Sequence, residues 1–299
     1  MFEYVALAIS IVASNFSDYV NTSGKFTRKS KWRFEDYINY ILFNNRKSID
    51  VELGNYFEKA INLAEITKQS ISKQRVFIKP EIFIDISNQF LKNIHYNNQK
   101  LFKTFKGFRL VAIDGSDFEI PNITSTRLEF NVKNPLTRTN PSHGKFSSAM
   151  DVLNGFILDG AIDNFRKADL NFVEDHINKC KQLININKTI FIFDRGYVSL
   201  SLYATLLSNK TYFVSRLAKN SYIHERKYLK SDDETIIINA NSSRLNKFKN
   251  ILLKRKCSKR RYLELRLVTV HHPYAARSSV HPEQTLFYRS VSSAARKQA

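Results

Sequence analysis

Cysteine is scarce in this 299-residue chain, and the scarcity excludes several classes of protein. The two cysteines, Cys180 and Cys257, cannot form a disulfide framework, and neither belongs to a Cys-x-x-Cys pair or a Cys/His cluster. We therefore expect no zinc site, and the composition fits a reducing cytoplasm. Long apolar runs are also lacking. The apolar stretch 4–13 is too short to span a bilayer and has no basic residue before it, so we interpret it as a buried helix.

Acidic residues are few relative to basic ones. The chain has 27 Asp and Glu against 47 Lys and Arg, which gives a formal charge of +20 and a pI near 9.8. This charge makes a polyanion the expected partner, with nucleic acid ahead of a membrane surface, although charge alone is also compatible with a solvated basic surface. The length suits one large domain or two ordinary ones.

A helical pattern is present over residues 1–100, which we interpret as a candidate DNA-binding domain. Apolar residues recur at three- and four-residue steps over 34–42, and further helices are expected at 50–60, from about 67, and at 80–94. Short helices with short connections form either a helix-turn-helix module or a plain helical bundle, and the pattern does not separate the two. In the first case, the residues that face a DNA groove are Lys68, Lys73, Gln74 and Arg75.

Strand patterns replace helical ones over residues 101–218. The pair Asn154-Gly155 lies between two apolar runs and predicts a hairpin. The expected order is strand, hairpin, helix, strand, helix, strand, with strands at 108–113, 146–153, 156–162, 189–193 and 211–217 and helices at 170–183 and 199–207. This is the layout of a ribonuclease H-like α/β fold, a mixed sheet with flanking helices. In that fold, the first and fourth strands are neighbours.

Asp114 and Asp194 are the most informative residues of this region. Each follows an apolar strand, and a glycine comes within two residues of each. In α/β sheets, ligands and chemistry gather at the carboxyl ends of strands, so two carboxylates there suggest metal-dependent chemistry on a nucleic acid. Taken singly, Asp114 can cap an Asp-Gly turn and Asp194 can pair with Arg195 on the surface. Their placement at neighbouring strand ends favours metal ligation.

Other acidic residues are close in sequence. Asp117 and Glu119 are interpreted as solvated loop acids or as outer-shell carboxylates. Asp151 and Asp159 lie on either side of the hairpin turn, and we expect both on its exposed face.

The remaining chain changes in composition twice. Residues 219–270 are interpreted as a β-rich basic insertion with a strand at 261–270, and the run 244–261 within it contains nine Lys and Arg and no acid. That run is either a phosphate-contact surface or a solvated edge. Residues 271–299 contain no Asn, Ile or Gly, unlike the chain before them. We predict a disordered, non-family tail that arose by frameshift, fusion or readthrough, and the alternative is a natural disordered tail. The residues of the run singled out for DNA contact are Lys254, Arg255, Lys256, Arg260 and Arg261.

Three blocks resemble those of DDE transposases of bacterial insertion sequences: AIDGSDFEIP at 112–121, AMDVLNG at 149–155 and FDRGY at 193–197. Residues 25–28 and 34–38 resemble the N-terminal domain of the same family. The resemblance implies DNA strand cleavage and transfer with two Mg²⁺ or Mn²⁺ ions, and it makes Asp114 and Asp194 catalytic metal ligands. It implies that Arg195 and Tyr197 contact DNA near the scissile phosphate, although Tyr197 can equally pack under the helix that follows. It also implies double-stranded DNA partners (transposon ends and target), a homodimer in a synaptic complex, and a location in the bacterial cytoplasm on the nucleoid.

The third catalytic carboxylate of that family has no counterpart in this sequence. The family places a Glu in a Tyr-x-x-Arg-x-x-x-Glu-x-x-x-x-x-x-Lys pattern beyond a β-rich insertion. Glu264 follows Tyr262 too closely, and Glu283 has no Tyr or Arg at the required spacing. We therefore predict a transposase that is truncated or frameshifted near residue 270 and inactive in this form. The alternatives are a non-catalytic DNA-binding remnant, which binds transposon ends or a full-length transposase, and a ribonuclease H-like nuclease of another family.

Overall fold

The computed structural model describes residues 1–45, 47–59, 64–130, 142–218, 220–248, 251–271 and 283–288. The chain divides into two compact units, Met1–Tyr96 and Asn97–Ala299. Within the described ranges, no helix is long and apolar enough to cross a membrane.

The first unit is helical, as the periodicity predicts. Its core surrounds Trp32, which contacts the rings of Tyr37, Tyr40, Tyr56 and Phe57 at centroid distances of 5.2 to 6.0 Å. Aromatic pairs of this kind add stability beyond the apolar area that they bury. The α-helices are α1 (Phe2–Ala13), α2 (Phe34–Leu42), α3 (Ile49–Lys59), α4 (Lys68–Arg75) and α5 (Glu81–Asn93).

The second unit is built on an eight-stranded mixed sheet. Its strands are β1 (Arg109–Glu119), β2 (His143–Asp151), β3 (Phe156–Asn164), β4 (Thr189–Phe193), β5 (Tyr212–Arg216), β6 (Asp233–Asn239), β7 (Tyr262–His271) and β8 (Glu283–Tyr288). Their order in the sheet is β3-β2-β1-β4-β5-β8-β7-β6. The pairs β1–β4 and β4–β5 are parallel, and the other pairs are antiparallel. The helices are α6 (Thr124–Glu129), α7 (Leu170–Leu183), α8 (Leu200–Ser208), α9 (Ile223–Arg226), α10 (Ser242–Leu245) and α11 (Ile251–Arg260).

The first five strands have the order expected of a ribonuclease H-like fold, and the predicted fold class is confirmed. The side chains of β1 alternate, with Val111 and Ile113 buried, and those of β4 alternate in the same way, with Phe191 and Phe193 buried. This alternation of period two directs one face of each strand into the core. Helix α7 packs on β2 and β3, and α8 packs on β5.

The β2–β3 hairpin forms at the predicted place, but the expectation for its two acids is wrong. Asp151 has a fully buried side chain, which pairs with the equally buried Arg109 at 3.2 Å. Its other oxygen accepts hydrogen bonds from the backbone amides of Leu153 and Asn154, both at 3.1 Å. Asp159 is also largely covered, with 12% of its side chain exposed. Both carboxylates are covered because each has a cationic or hydrogen-bonding partner inside the unit, a pairing that the local sequence does not reveal.

The stretch 271–299 also differs from its prediction. The six residues Glu283–Tyr288 form β8, which pairs with β5 on one side and β7 on the other. The expectation of a disordered tail is therefore wrong for these residues, because their backbone groups complete the hydrogen bonding of two neighbouring strands. Residues 272–282 and 289–299 lie outside the described part of the chain.

Candidate active site

Asp114 lies in β1, and Asp194 directly follows β4, the strand that neighbours β1. The parallel register of β1 and β4 pairs Ile113 with Phe193, and each aspartate is the next residue. Paired residues of parallel strands point to the same face and successive residues alternate, so both aspartates leave the face that buries Ile113 and Phe193. Both are exposed. The predicted adjacency of the first and fourth strands is confirmed.

Asp114 does not end its strand, which corrects one detail of the expectation. Strand β1 continues to Glu119, because β2 pairs with it as far as Glu119 opposite His143. Strand β4 ends at Phe193, so its pairing with β1 ends at Ile113, and from Asp114 onward β1 is paired only with β2.

The two carboxylates have few partners. One Asp114 oxygen accepts a hydrogen bond from the backbone amide of Gly115 at 2.9 Å. One Asp194 oxygen lies 3.8 Å from the guanidinium of Arg216, which comes from β5. An exposed pair at this distance is weak, so a cation of higher charge density can displace Arg216.

This donor set fits a divalent cation in part. Carboxylate oxygens are the ligands that Mg²⁺ and Mn²⁺ prefer, and two of them lie on adjacent strands. In the described ranges, however, no three His, Cys, Asp or Glu side chains group as a metal site. Glu264, which follows Tyr262 too closely for the family pattern, lies in β7 opposite Ile237. Asp114 and Asp194 are therefore candidate oxygen ligands for a cation, and the described residues supply no three-carboxylate set.

Asp169 is a neighbour of this site that sequence reasoning missed. It precedes α7, and one of its oxygens lies 3.2 Å from the ammonium group of Lys145, which is also 3.8 Å from Asp117. The same oxygen would be 2.5 Å from a Cβ atom placed on Gly115, so a larger residue there would require Asp169 to shift. The available signal was an aspartate directly before a predicted helix start, a common capping position.

Tyr197 packs beneath the site in the structure, which favours the alternative of packing over direct contact with DNA. Only 2% of its surface is exposed, and its ring packs on Phe193 at a centroid distance of 5.7 Å. Burial raises the pKa of Tyr197, and the charges of Asp169, Asp114 and Asp194 raise it further. The aromatic residue of the FDRGY block thus supports the Asp194 turn from inside.

The predicted DNA-contact residues have different surroundings. Arg195 is exposed beside Asp194. Lys256 and Arg261 are exposed, whereas the ammonium group of Lys254 donates to the Asn246 side chain at 3.2 Å. Helix α11 carries the basic run and buries Cys257 on its inner face. The side chains of Arg255 and Arg260 lie outside the described residues, and their DNA contacts remain predictions.

A comparison with protein families identifies the family to which this chain belongs. The family model described as "Transposase DDE domain" matches residues 106–295, which include β1 to β8 and both aspartates. The chain therefore belongs to the DDE transposase family. No curated protein was found to match it. Because the match extends to residue 295, the expectation that residues 271–299 lie outside the family is wrong for most of that stretch.

Proposed function

We propose that this chain is a transposase of an insertion sequence whose Asp114 and Asp194 bind Mg²⁺ or Mn²⁺ for DNA strand cleavage and transfer. The observation that carries the proposal is the β1–β4 register, which brings two exposed carboxylates to the same level of neighbouring strands. Bound divalent cations would stabilise the attacking and leaving oxygens of a phosphodiester displacement. The chain's own part is to hold the carboxylates on strands, where their positions are well defined, and to present Arg195 beside them.

We further propose that the chain is catalytically incomplete in this form. Two carboxylates bind a cation loosely, whereas two cations need more oxygen ligands to fix them and to offset their charge. The lack of a three-residue metal cluster among the described residues supports this view. The Glu of the family pattern is missing from the sequence, which points in the same direction.

Strand cleavage tests both parts of the proposal. Labelled DNA with candidate transposon ends is incubated with the full chain and Mg²⁺ or Mn²⁺, beside Asp114→Ala and the matched control Asp163→Asn. We expect no cleavage from any of the three. Metal-dependent cleavage that Asp114→Ala abolishes and Asp163→Asn leaves intact would contradict the incompleteness and support the site.

Metal binding tests the site without requiring activity. Mn²⁺ is titrated into the full chain, and the free ion is followed by its electron paramagnetic resonance signal. We expect a binding step that both Asp114→Ala and Asp194→Ala remove and that Asp163→Asn retains. The same step in all four proteins would show that the two aspartates are not the ligands.

The second candidate function is a non-catalytic DNA-binding remnant that binds transposon ends or a full-length transposase. The excess of basic residues, 47 against 27 acidic ones, favours it, because phosphate contact depends on positive charge and not on the carboxylates. Under this alternative the chain binds DNA, but it has no Asp114-dependent Mn²⁺ site.

DNA binding is expected to weaken steeply as salt rises, since each phosphate contact releases counterions. Neutralising three adjacent residues of α11 should reduce the slope of log affinity against log salt by up to about 3 if all three contact phosphate. The variant is Lys254→Gln, Arg255→Gln and Lys256→Gln. An unchanged slope would assign this run to solvent, and a binding constant independent of salt would contradict phosphate contact altogether.

A further inference from the structure

A cavity of about 450 Å³ lies where the segments that follow β4 and β5 meet the start of α7. Three serines and two cationic residues are part of its wall: Ser199, Ser201, Ser221, Arg244 and Lys247. The two cations belong to the start of the basic run 244–261. The fold therefore brings the start of that run to a cavity, whereas most of the residues singled out from the run for DNA contact lie on α11.

This cavity borders the candidate active site. Strands β4 and β5 are parallel, so their carboxyl ends lie at one edge of the sheet, and the serines of the wall follow those ends along the chain. Leu170 of the wall directly follows Asp169, whose carboxylate oxygen would be 2.5 Å from a Cβ atom placed on Gly115. Gly115 is the neighbour of Asp114. Phosphates recur at about every 3.4 Å of helix rise along a DNA strand, so a strand with one phosphate at the carboxylates has its next phosphates near the cavity.

Most hydrogen-bond donors of the wall have no acceptor in the described part of the chain. This holds for the hydroxyls of the three serines and for the ammonium group of Lys247, which is also beyond ion-pair distance of every described carboxylate. Ser199 precedes α8, but its side chain does not cap that helix. The first backbone amides of α8 therefore add further donors, because the first turn of a helix has no internal acceptor for them. A wall of donors without acceptors suits an anion.

Arg244 is held beside the cavity by groups of the protein. Its Nη1 atom donates to the Glu225 carboxylate at 2.7 Å and to the Asn239 carbonyl at 2.8 Å. Its guanidinium lies 5.4 Å from the centroid of the Tyr222 ring. Among the described residues, none accepts a hydrogen bond from its Nε or Nη2 atom. A guanidinium whose orientation is already set loses little conformational freedom when it binds an anion. Because Glu225 offsets the charge of Arg244, Lys247 supplies the uncompensated charge of the wall.

We propose that this cavity binds a phosphodiester group of the DNA strand that occupies the active site, close to the scissile phosphate. The serine hydroxyls and the amides of α8 donate to its oxygens, and Lys247 offsets its charge. The position of this group near the scissile phosphate rests on the proposed function. Inorganic phosphate presents similar oxygens, but the excess of basic residues in the chain favours a DNA strand.

DNA binding by the full chain without divalent metal tests the charge of the cavity. The fluorescence anisotropy of a labelled duplex is measured over a series of salt concentrations. Lys247→Gln removes one phosphate contact, so the slope of log affinity against log salt should fall by about 1. The matched control is Lys210→Gln, an exposed lysine that follows the other end of α8 and precedes β5. Its slope should equal that of the unaltered chain.

The serines test the cavity without a change of charge. Ser199→Ala combined with Ser201→Ala should weaken DNA binding by about tenfold at fixed salt, since a hydrogen bond to a charged group corresponds to at least that factor. Ser208→Ala is the matched control, because this exposed serine is the last residue of α8, and it should bind as the unaltered chain does. Ser221→Ala alters the same wall from another segment and should weaken binding even if the double variant does not fold.

Inorganic phosphate at constant ionic strength separates the two sources of the ligand. If phosphate raises the thermal unfolding midpoint of the unaltered chain but not of Lys247→Gln, and the DNA salt slope of that variant is unchanged, the cavity takes the free ion and the DNA assignment is overturned.

The remaining outcomes separate this inference from the proposed function. Equal slopes for the unaltered chain and Lys247→Gln overturn the phosphodiester site. A lower slope with unaltered affinity in all serine variants also overturns it, since Lys247 then contacts phosphate outside the cavity. A Lys247-dependent slope in a chain that lacks the Asp114-dependent Mn²⁺ step refutes the cation site and leaves the phosphodiester site standing.

Discussion

Removing one partner of the buried ion pair between β1 and β2 should strongly destabilise the second unit. Arg109 and Asp151 are both fully buried, and their charged atoms lie 3.2 Å apart. Arg109→Met would leave the Asp151 carboxylate enclosed without its cation, a change that costs about 3–5 kcal/mol in other proteins. The amides of Leu153 and Asn154 still solvate this carboxylate, so we expect about 3 kcal/mol. At 1.4 kcal/mol per factor of ten, this raises the unfolded fraction by roughly a hundredfold.

Urea unfolding followed by far-ultraviolet circular dichroism measures this loss in the full chain. Trp32, the only tryptophan, lies in the first unit, so its fluorescence separates the transition of that unit from the other. The matched control is Asp163→Asn, which breaks a half-exposed ion pair with Lys167 and should cost less than about 1 kcal/mol. The reasoning is refuted if Arg109→Met costs no more than this control. Adding Asp151→Asn to Arg109→Met should recover part of the loss, because the uncompensated charge is then removed.

Two further perturbations have definite expectations. The backbone amides of Lys47 and Asn45 donate hydrogen bonds to the Glu52 carboxylate at 2.8 and 2.9 Å and hold the pKa of its carboxyl below the ordinary 4.5. The stabilisation from these bonds is therefore present above the ordinary pKa, and it is lost as the pH falls through the lowered pKa of Glu52. Glu52→Gln should flatten the acid loss of stability in Trp32 fluorescence, and parallel curves would contradict this. Gly115→Ala would place a Cβ atom 2.5 Å from Asp169, so we expect a loss of about 1–3 kcal/mol in thermal unfolding, whereas an unchanged midpoint would show that Asp169 moves freely.

Much of the fold could be predicted because it depends on local pattern. Apolar residues at helical spacing predicted α2 to α5, and Asn154-Gly155 predicted the β2–β3 hairpin, where Gly155 has a φ of 73°. The strand β8 was missed because composition was used as a proxy for structure. Its pairing with β5 and β7 uses backbone groups, which every composition provides.

Of the candidate site, only the two aspartates and the adjacency of their strands could be predicted. Asp114 and Asp194 follow apolar runs, and the order of elements makes their strands neighbours. The hydrogen bonds of the buried His176 with Asp159 and Ser147 could not be predicted, since these partners come from two other elements and depend on register and helix rotation. The burial of Tyr197 was one of two open alternatives, because a turn residue next to a functional aspartate can face either solvent or core.

The position of β8 has a consequence for the order in which the sheet forms during synthesis. It lies between β5 and β7 in the sheet, although it follows both along the chain. The facing edges of β5 and β7 therefore stay open until residues 283–288 have left the ribosome. Open strand edges pair readily with other chains, so nascent molecules that stall before this point are expected to associate with one another. Strand β8 thus completes the pairing of the sheet. A chaperone would be most useful while β5 and β7 have been synthesised and β8 has not.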